Sequence, residues 1–415
     1  MKANWRKLKL SDIAEFNPSE TLKKGTVAKK VSMDILRPFC RDISGYSEES
    51  YTGGTKFRNG DTIMARITPC LENGKTAQVA FLNDGEIGFG STEYIIFRAI
   101  EGVSDKDYLY YLICSPMVRE PAIKSMVGSS GRQRVQTDVV KNLVIDVPPL
   151  RDQVKIGSVL KSLDDKIALN NRVNKNLEQH AVVLFRSWFS AFSLSPNRSR
   201  VDSEFGEIPD DFTVVKVGSL PMLITDYVAN GSFASLKANV NLYQEPNYAY
   251  FIRNTDLKSG SFGVFVDQHS YEFLSKSTLY GGEIIISNVG DVGSVFLCPK
   301  LDGRMTLGNN IIMLRPQDDH LRYYLYIWFK YLQGQALIHG IKGGSAQPKF
   351  NKTDFKNTSV LIPPKDILTR FHETVAPMFE TISQRQAETS RLAELRDTLL
   401  PQLMSGELDV SNLDF

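Results

Sequence analysis

From Leu150 to Phe189 the chain runs without a proline, and one side-chain stripe returns at alternating steps of four and three residues. Its positions are Ile156, Leu160, Leu163, Ile167, Asn170, Asn174, Leu177, Ala181, Leu184 and Trp188. Such spacing keeps the stripe on one side of a helix and makes a coiled-coil seam. Two asparagines interrupt it in the middle. Adding 215 to each number gives Phe371, Val375, Met378, Ile382, Arg385, Thr389, Leu392, Arg396, Leu399 and Leu403, a second seam with its polar interruption also centred, on Arg385 and Thr389. One seam alone needs no role beyond helix packing, but two that share an interruption point to a matched pair. About 38 helical residues at 1.5 Å each span roughly 57 Å, more than a small domain needs for its own core. Each helix therefore reads as a spacer.

Other stretches repeat as well, and an internal repeat fixes architecture before any motif is weighed. Val147-Pro148-Pro149 ends a β-rich run and opens a helical one, and Ile362-Pro363-Pro364 does the same at 363 minus 148, an offset of 215. Gly128 to Gln136 falls on Gly343 to Asn351 at that offset, both being Gly/Ser loops that end in polar and basic residues. Trp5 to Leu10 matches Phe212 to Val217 at an offset of 207, and Gly60 to Met64 matches Gly282 to Ile286 at 222. The offset drifts inside each half and holds constant around the helices, so lengths are kept where the helices are and vary elsewhere.

Short β-branched runs at Thr62 to Ile67, Tyr94 to Phe97, Glu283 to Ser287 and Asn310 to Leu314 read as strands. The expected fold is α+β: two mixed α/β lobes and two long antiparallel coiled-coil helices in a pseudo-twofold internal repeat. The expected division is residues 1–147 for the first lobe, 148–192 for the first helix, 193–209 for a polar linker, 210–361 for the second lobe, 362–406 for the second helix and 407–415 for a tail. An antiparallel pair brings Asn170 and Asn174 to Arg385 and Thr389, where a polar layer fixes register at some cost in stability. Leucine at both asparagines is expected to stabilise the pair and loosen its register.

Length and composition agree with this. A chain of 415 residues, 42% hydrophobic and 23% charged, is long enough for two or three units with sizeable cores. Forty-nine Lys and Arg against 47 Asp and Glu leave a net charge of +2, so any surface for a polyanion must be local. Cys40, Cys70, Cys114 and Cys298 are far apart and form no C-x-x-C pair, which fits buried thiols in a reducing compartment. No run approaches the roughly 18 apolar residues of a membrane span, and the first ten residues lack the apolar core of a signal peptide. A cytoplasmic protein with no membrane partner is expected.

Motifs with catalytic chemistry are not found. Asn73-Gly-Lys-Thr76 resembles the end of a phosphate-binding loop, but Pro69 stands where the leading glycine belongs and a strand-like run follows instead of a helix. His180, His269, His320, His339 and His372 show no metal-ligand spacing. No Gly-x-Ser-x-Gly elbow appears, and neither Pro-Pro pair has the neighbours of an adenine-methyltransferase motif. The sequence thus suggests no catalytic residue and no metal site. Binding to a nucleic acid needs Lys and Arg for phosphates and Arg, Lys, Asn or Gln for base edges. Loop residues of those types are Arg66, Arg132, Gln133 and Arg134 in the first half and Lys342, Gln347 and Lys349 in the second.

Along essentially its whole length the chain resembles the specificity subunits of Type I restriction–modification systems. The residues that carry the resemblance are Gly344-Ser-Ala-Gln-Pro-Lys-Phe-Asn-Lys-Thr-Asp354, the two Pro-Pro pairs, Leu163-Asp-Asp-Lys-Ile-Ala-Leu-Asn-Asn171, Leu184-Phe-Arg-Ser-Trp-Phe189 and Phe205-Gly-Glu-Ile-Pro209. The first-half loop departs from the pattern, reading Gly-Arg-Gln-Arg where the second reads Ala-Gln-Pro-Lys. The resemblance implies two target-recognition domains that each read half of a bipartite, asymmetric double-stranded DNA site, with the helices setting the unread spacer. It also implies two modification subunits that methylate adenine with S-adenosylmethionine, and restriction subunits that use ATP and magnesium, so that no cofactor belongs to this chain. A two-lobed scaffold that binds only protein is the other reading of the same architecture.

Overall fold

Each proline pair closes a strand and opens a helix, because proline cannot donate within a helix yet holds φ near the helical value. The computed structural model describes residues 4–129, 131–344 and 347–410, so Ser130, Ser345, Ala346, residues 1–3 and residues 411–415 lie outside the described residues. Strand Val144–Val147 ends before Pro148 and helix Leu150–Phe189 follows Pro149; strand Ser359–Ile362 ends before Pro363 and helix Lys365–Ser405 follows Pro364. The carbonyls of Pro149 and Pro364 accept from Gln153 and Leu368, each at 3.0 Å, in the first turn of each helix. The second helix also carries Pro377 and Pro401 within it, each on its exposed side.

The chain forms two compact units, and they cut across the linear lobe-and-helix order. The first comprises Met1–Leu169 with Arg391–Phe415, the second Asn170–Ser390, so each takes part of both long helices.

In the first unit a four-stranded antiparallel sheet has the order Ala14–Phe16, Tyr94–Ala99, Thr62–Ala65, Thr76–Gln78. A second four-stranded sheet runs Ser47–Ser50, Val27–Val31, Gly88–Gly90, Thr55–Phe57. The strand Arg6–Lys9 at the lobe's start pairs with Val144–Val147 at its end. Helix Lys106–Cys114 is capped by Asp105, whose carboxylate accepts from the amides of Asp107 and Tyr108 at 3.0 and 2.9 Å. It packs against the first long helix at Gly157, where a Cβ would stand 2.8 Å from the amide nitrogen of Tyr108. Ile156 and Leu160, early in the first long helix, share a core with Leu403 and Met404, late in the second. The helices are antiparallel there.

The second unit repeats the plan. Met222–Asp226, Ile311–Pro316, Ile284–Ser287 and Val295–Leu297 form the corresponding antiparallel sheet, and Thr213–Lys216 pairs with Ser359–Ile362. A five-stranded sheet replaces the smaller sheet of the first lobe. Phe371, near the start of the second long helix, sits 4.9 Å from Phe189 and 5.9 Å from Phe185, near the end of the first. Burying one such ring contributes about 1.5–3 kcal/mol. The helices are antiparallel here too.

At the middle of the seam the structure brings Asn170 to both expected partners. The wholly buried Asn170 accepts from Arg385 Nη1 at 2.9 Å and donates to Glu388 Oε2 at 2.8 Å and Thr389 Oγ1 at 3.5 Å. Asn174 behaves differently: its Oδ1 is buried without a hydrogen-bond partner. The two asparagines are therefore unequal, where the periodicity treats them alike. An unsatisfied buried acceptor costs roughly 1–3 kcal/mol, whereas removing a satisfied one strands its partners. Asn174→Leu is expected to raise stability by about 1 kcal/mol, and Asn170→Leu to lower it by about 1–3 kcal/mol by removing the buried acceptor of Arg385 Nη1. Chemical denaturation of the two variants separates these outcomes, and equal shifts of either sign contradict the assignment.

Candidate nucleic-acid interface

In each unit the central strand of the antiparallel sheet runs out beneath a glycine-containing hairpin. In the first, Val127 and Arg134 exchange backbone hydrogen bonds of 3.1 and 2.9 Å, closing a tip that contains Gly128 and Arg132. Gly128 has φ 138°, and a Cβ there would lie 2.9 Å from the carbonyl oxygen of Arg132. The hairpin lies along the chain leaving strand Thr62–Ala65: the Thr68 amide donates to Gln133 at 3.0 Å, and the Val135 amide donates to Arg66 at 2.9 Å.

The second unit has the same construction. Gly343 and Lys349 exchange bonds of 2.8 and 2.9 Å, the Gly290 amide donates to Pro348 at 2.8 Å, and the Phe350 amide donates to Asn288 at 3.0 Å. Gly344, at φ 89°, would bring a Cβ within 2.5 Å of the Gln347 carbonyl oxygen. Arg134 and Lys349 are equivalent at the offset of 215, and Arg66 and Asn288 at the offset of 222.

The side chains differ where the backbones agree. Arg132, Lys342, Gln347 and Lys349 are exposed, and Gln133 is half-buried. Arg134 is exposed but committed: its guanidinium forks Glu93, with Nη2 to Oε1 at 2.6 Å and Nε to Oε2 at 2.9 Å. The bond from Arg134 holds the Glu93 carboxyl below its ordinary pKa, with Arg66 adding to the effect. The fork's contribution is thus complete above the usual carboxylate range and lost as acid protonates Glu93; a pair this exposed is worth about 0–1 kcal/mol. Arg66 is half-buried, with its Nε sequestered and unpartnered. Asn310 occupies the second-unit place of Glu93, its carbonyl accepting from the Asn288 amide at 3.1 Å as that of Glu93 accepts from Arg66 at 2.9 Å. Among the described residues, Lys349 and Lys342 accordingly form no ion pair.

Three residues of this region escaped the sequence reading. Glu93 lies 41 positions from the arginine it holds, with no pattern joining them. Asn310 is its equivalent in the other half. Asn288 could have been found by adding 222 to Arg66. The Asn73–Thr76 stretch makes a turn at Gly74 and enters strand Thr76–Gln78, while Lys75 Nζ donates to the Met33 carbonyl at 2.8 Å. The histidines are not all apart: the rings of His320 and His372 stand 5.0 Å from each other. Among the described residues no group of three or more His, Cys, Asp or Glu could hold a metal ion, and no helix is long and apolar enough to cross a membrane.

A known family covers both halves of this geometry: the Type I restriction modification DNA specificity domain matches residues 2–179 and again 209–390. The chain belongs to that family. The MjaIX specificity subunit of Methanocaldococcus jannaschii is 29% identical over 74% of this chain and 70% of its own length. The HindI specificity subunit of Haemophilus influenzae is 24% identical over 98% of this chain and 100% of its own. In fold, the chain is similar to the crystal structure of a Type I restriction–modification S subunit from M. genitalium, with a TM-score of 0.53, 15% identity and 96% of each chain covered.

A DNA-binding role follows from the specificity family, and the two hairpins offer it unequal charges. Neutralising one phosphate changes the slope of log affinity against log salt by about one. Lys349→Ala is expected to flatten that slope by about one, and Arg134→Ala, already neutralised by Glu93, by clearly less. Fluorescence anisotropy over a salt series measures both; equal slopes for Lys349→Ala and the parent would return Lys349 to the solvated surface.

Proposed function

We propose that this chain is the DNA-reading subunit of a Type I restriction–modification enzyme, directing methylation and cleavage that partner subunits perform. The observation that supports this most is the duplicated hairpin-on-strand arrangement: two equivalent platforms, each with its own side chains, suit a site of two different halves. In this reading the half-sites flank a spacer set by the two long helices. Two modification subunits bind S-adenosylmethionine, restriction subunits bind ATP and magnesium, and the whole works in the cytoplasm. Loops with exposed Arg, Lys and Gln supply phosphate registration and base-edge contacts. This chain itself neither methylates nor cleaves.

Two exchanges test it. Replacing residues 1–147 with the lobe of a relative is expected to alter one half of the methylated motif and leave the other unchanged, as mapped across a host genome. Removing one heptad from the first long helix is expected to change the spacer or abolish recognition. Return of the original motif with its original spacer after the heptad deletion contradicts the role of the helices as a ruler. A scaffold that binds only protein predicts no footprint on DNA with any modification partner.

A further inference from the structure

The two lobes share a buried tyrosine that the repeat aligns and the reading surface does not use. Tyr111, on helix Lys106–Cys114, and Tyr326, on helix His320–Lys330, are related by the offset of 215. Both rings are almost wholly buried, at 2% and 4% exposure, and each hydroxyl meets a carboxylate of the first long helix.

In the first unit the Tyr111 hydroxyl donates to Asp164 Oδ2 at 2.6 Å, and Arg396 Nη1, from the second long helix, donates to Asp164 Oδ1 at 2.7 Å. One buried carboxylate therefore ties the lobe to both long helices. The adjacent Asp165 adds a second tie, accepting from Arg41 Nη2 at 2.6 Å.

In the second unit the Tyr326 hydroxyl donates to Glu178 Oε1, which also accepts from Lys330 Nζ at 2.7 Å. Phe379, which occupies the place of Asp164, packs edge-on to the Tyr326 ring at 5.6 Å. Both acids stand on the first long helix, while the cation comes from the second long helix in one unit and from the lobe in the other, yet each tyrosine is bound. Burial first, and then the carboxylate beside it, raises each hydroxyl's pKa, so both stay protonated donors at neutral pH.

We infer that Tyr111 and Tyr326 are positioning residues, each fixing the angle at which its lobe is mounted on the helix segments of its own unit and thereby sharpening the spacing at which the half-sites are accepted. Apolar packing alone permits small rotations, whereas a buried hydroxyl held by a carboxylate accepts only one direction. The inference rests on the bipartite reading proposed above. It differs from that reading in placing spacing control at the lobe–helix joint as well as in helix length.

Tyr111→Phe and Tyr326→Phe delete one oxygen each and leave the Asp164–Arg396 and Glu178–Lys330 pairs whole, so both variants should fold. The full chain is combined with its modification subunit, and methylation is measured on DNAs whose spacer varies by one base pair either way around the preferred length. Each variant is expected to lose about three- to tenfold of the parent's discrimination against the wrong spacer while keeping the base preference of both half-sites. A merely structural role lowers the melting temperature without changing the spacer profile. Spacer discrimination as sharp as the parent's in both variants overturns the inference alone. Lost base preference in a half-site also overturns it, because the tyrosine would then belong to the reading surface. A parent with no spacer preference overturns both the inference and the bipartite reading.

Discussion

The seam between the two long helices is only half-buried over much of its length, and that constraint governs how the pair is held. Leu163, Ile167, Leu177, Ile382 and Leu392 are half-buried, unlike Ile156 and Phe371, which enter the cores of the units. Apolar contact there is thin and tolerant of sliding. Directional contacts supply what it lacks. The first unit holds Asp164 against Arg396 at 2.7 Å, and the second holds Asn170 against Arg385 at 2.9 Å. Such groups are not an efficient source of stability, because desolvation offsets much of their attraction. They are efficient at rejecting a wrong register, since any slip leaves a buried polar atom unmet.

The lobes apply the same backbone to different side chains. Glu93 neutralises Arg134 in one, while the second-unit equivalent, Asn310, leaves Lys349 uncommitted. With a net charge of only +2, positive potential toward a polyanion has to come from such local choices. The geometry that carries the hairpins depends on two glycines at positive φ, so the platform is preserved by backbone needs while the reading groups remain free to vary.

Periodicity made the long helices legible. Forty residues without a proline, with a seam at steps of three and four, leave little competition from other structures, and helix Leu150–Phe189 spans the proline-free run. The constant offset revealed the duplication, and its junctions appear as the strand pairs Arg6–Lys9 with Val144–Val147 and Thr213–Lys216 with Ser359–Ile362. Partner choice was not legible. Asn170 and Asn174 occupy adjacent seam positions, yet the carbonyl oxygen of one finds Arg385 and that of the other is buried without a hydrogen-bond partner, a difference that spacing does not encode. Arg396 stands in the second seam with nothing in the spacing to name its partner, Asp164. The acid that holds Arg134 belongs to a loop 41 residues away, brought close only by strand pairing.

The strand pair at each lobe's base also explains why the offset wanders between 207 and 222 inside the lobes and settles at 215 beyond them. Arg6 lies opposite Val147 and Thr213 opposite Ile362, so the chain enters and leaves each lobe through one short ladder. A lobe closed this way is a loop drawn tight at its neck. Residues can be gained or lost within it, as the added strand of the second lobe attests, and the exit strand still meets its helix at the same place. Change in what is read is thereby insulated from the element that follows, and diversity can accumulate in the lobes without disturbing the helices.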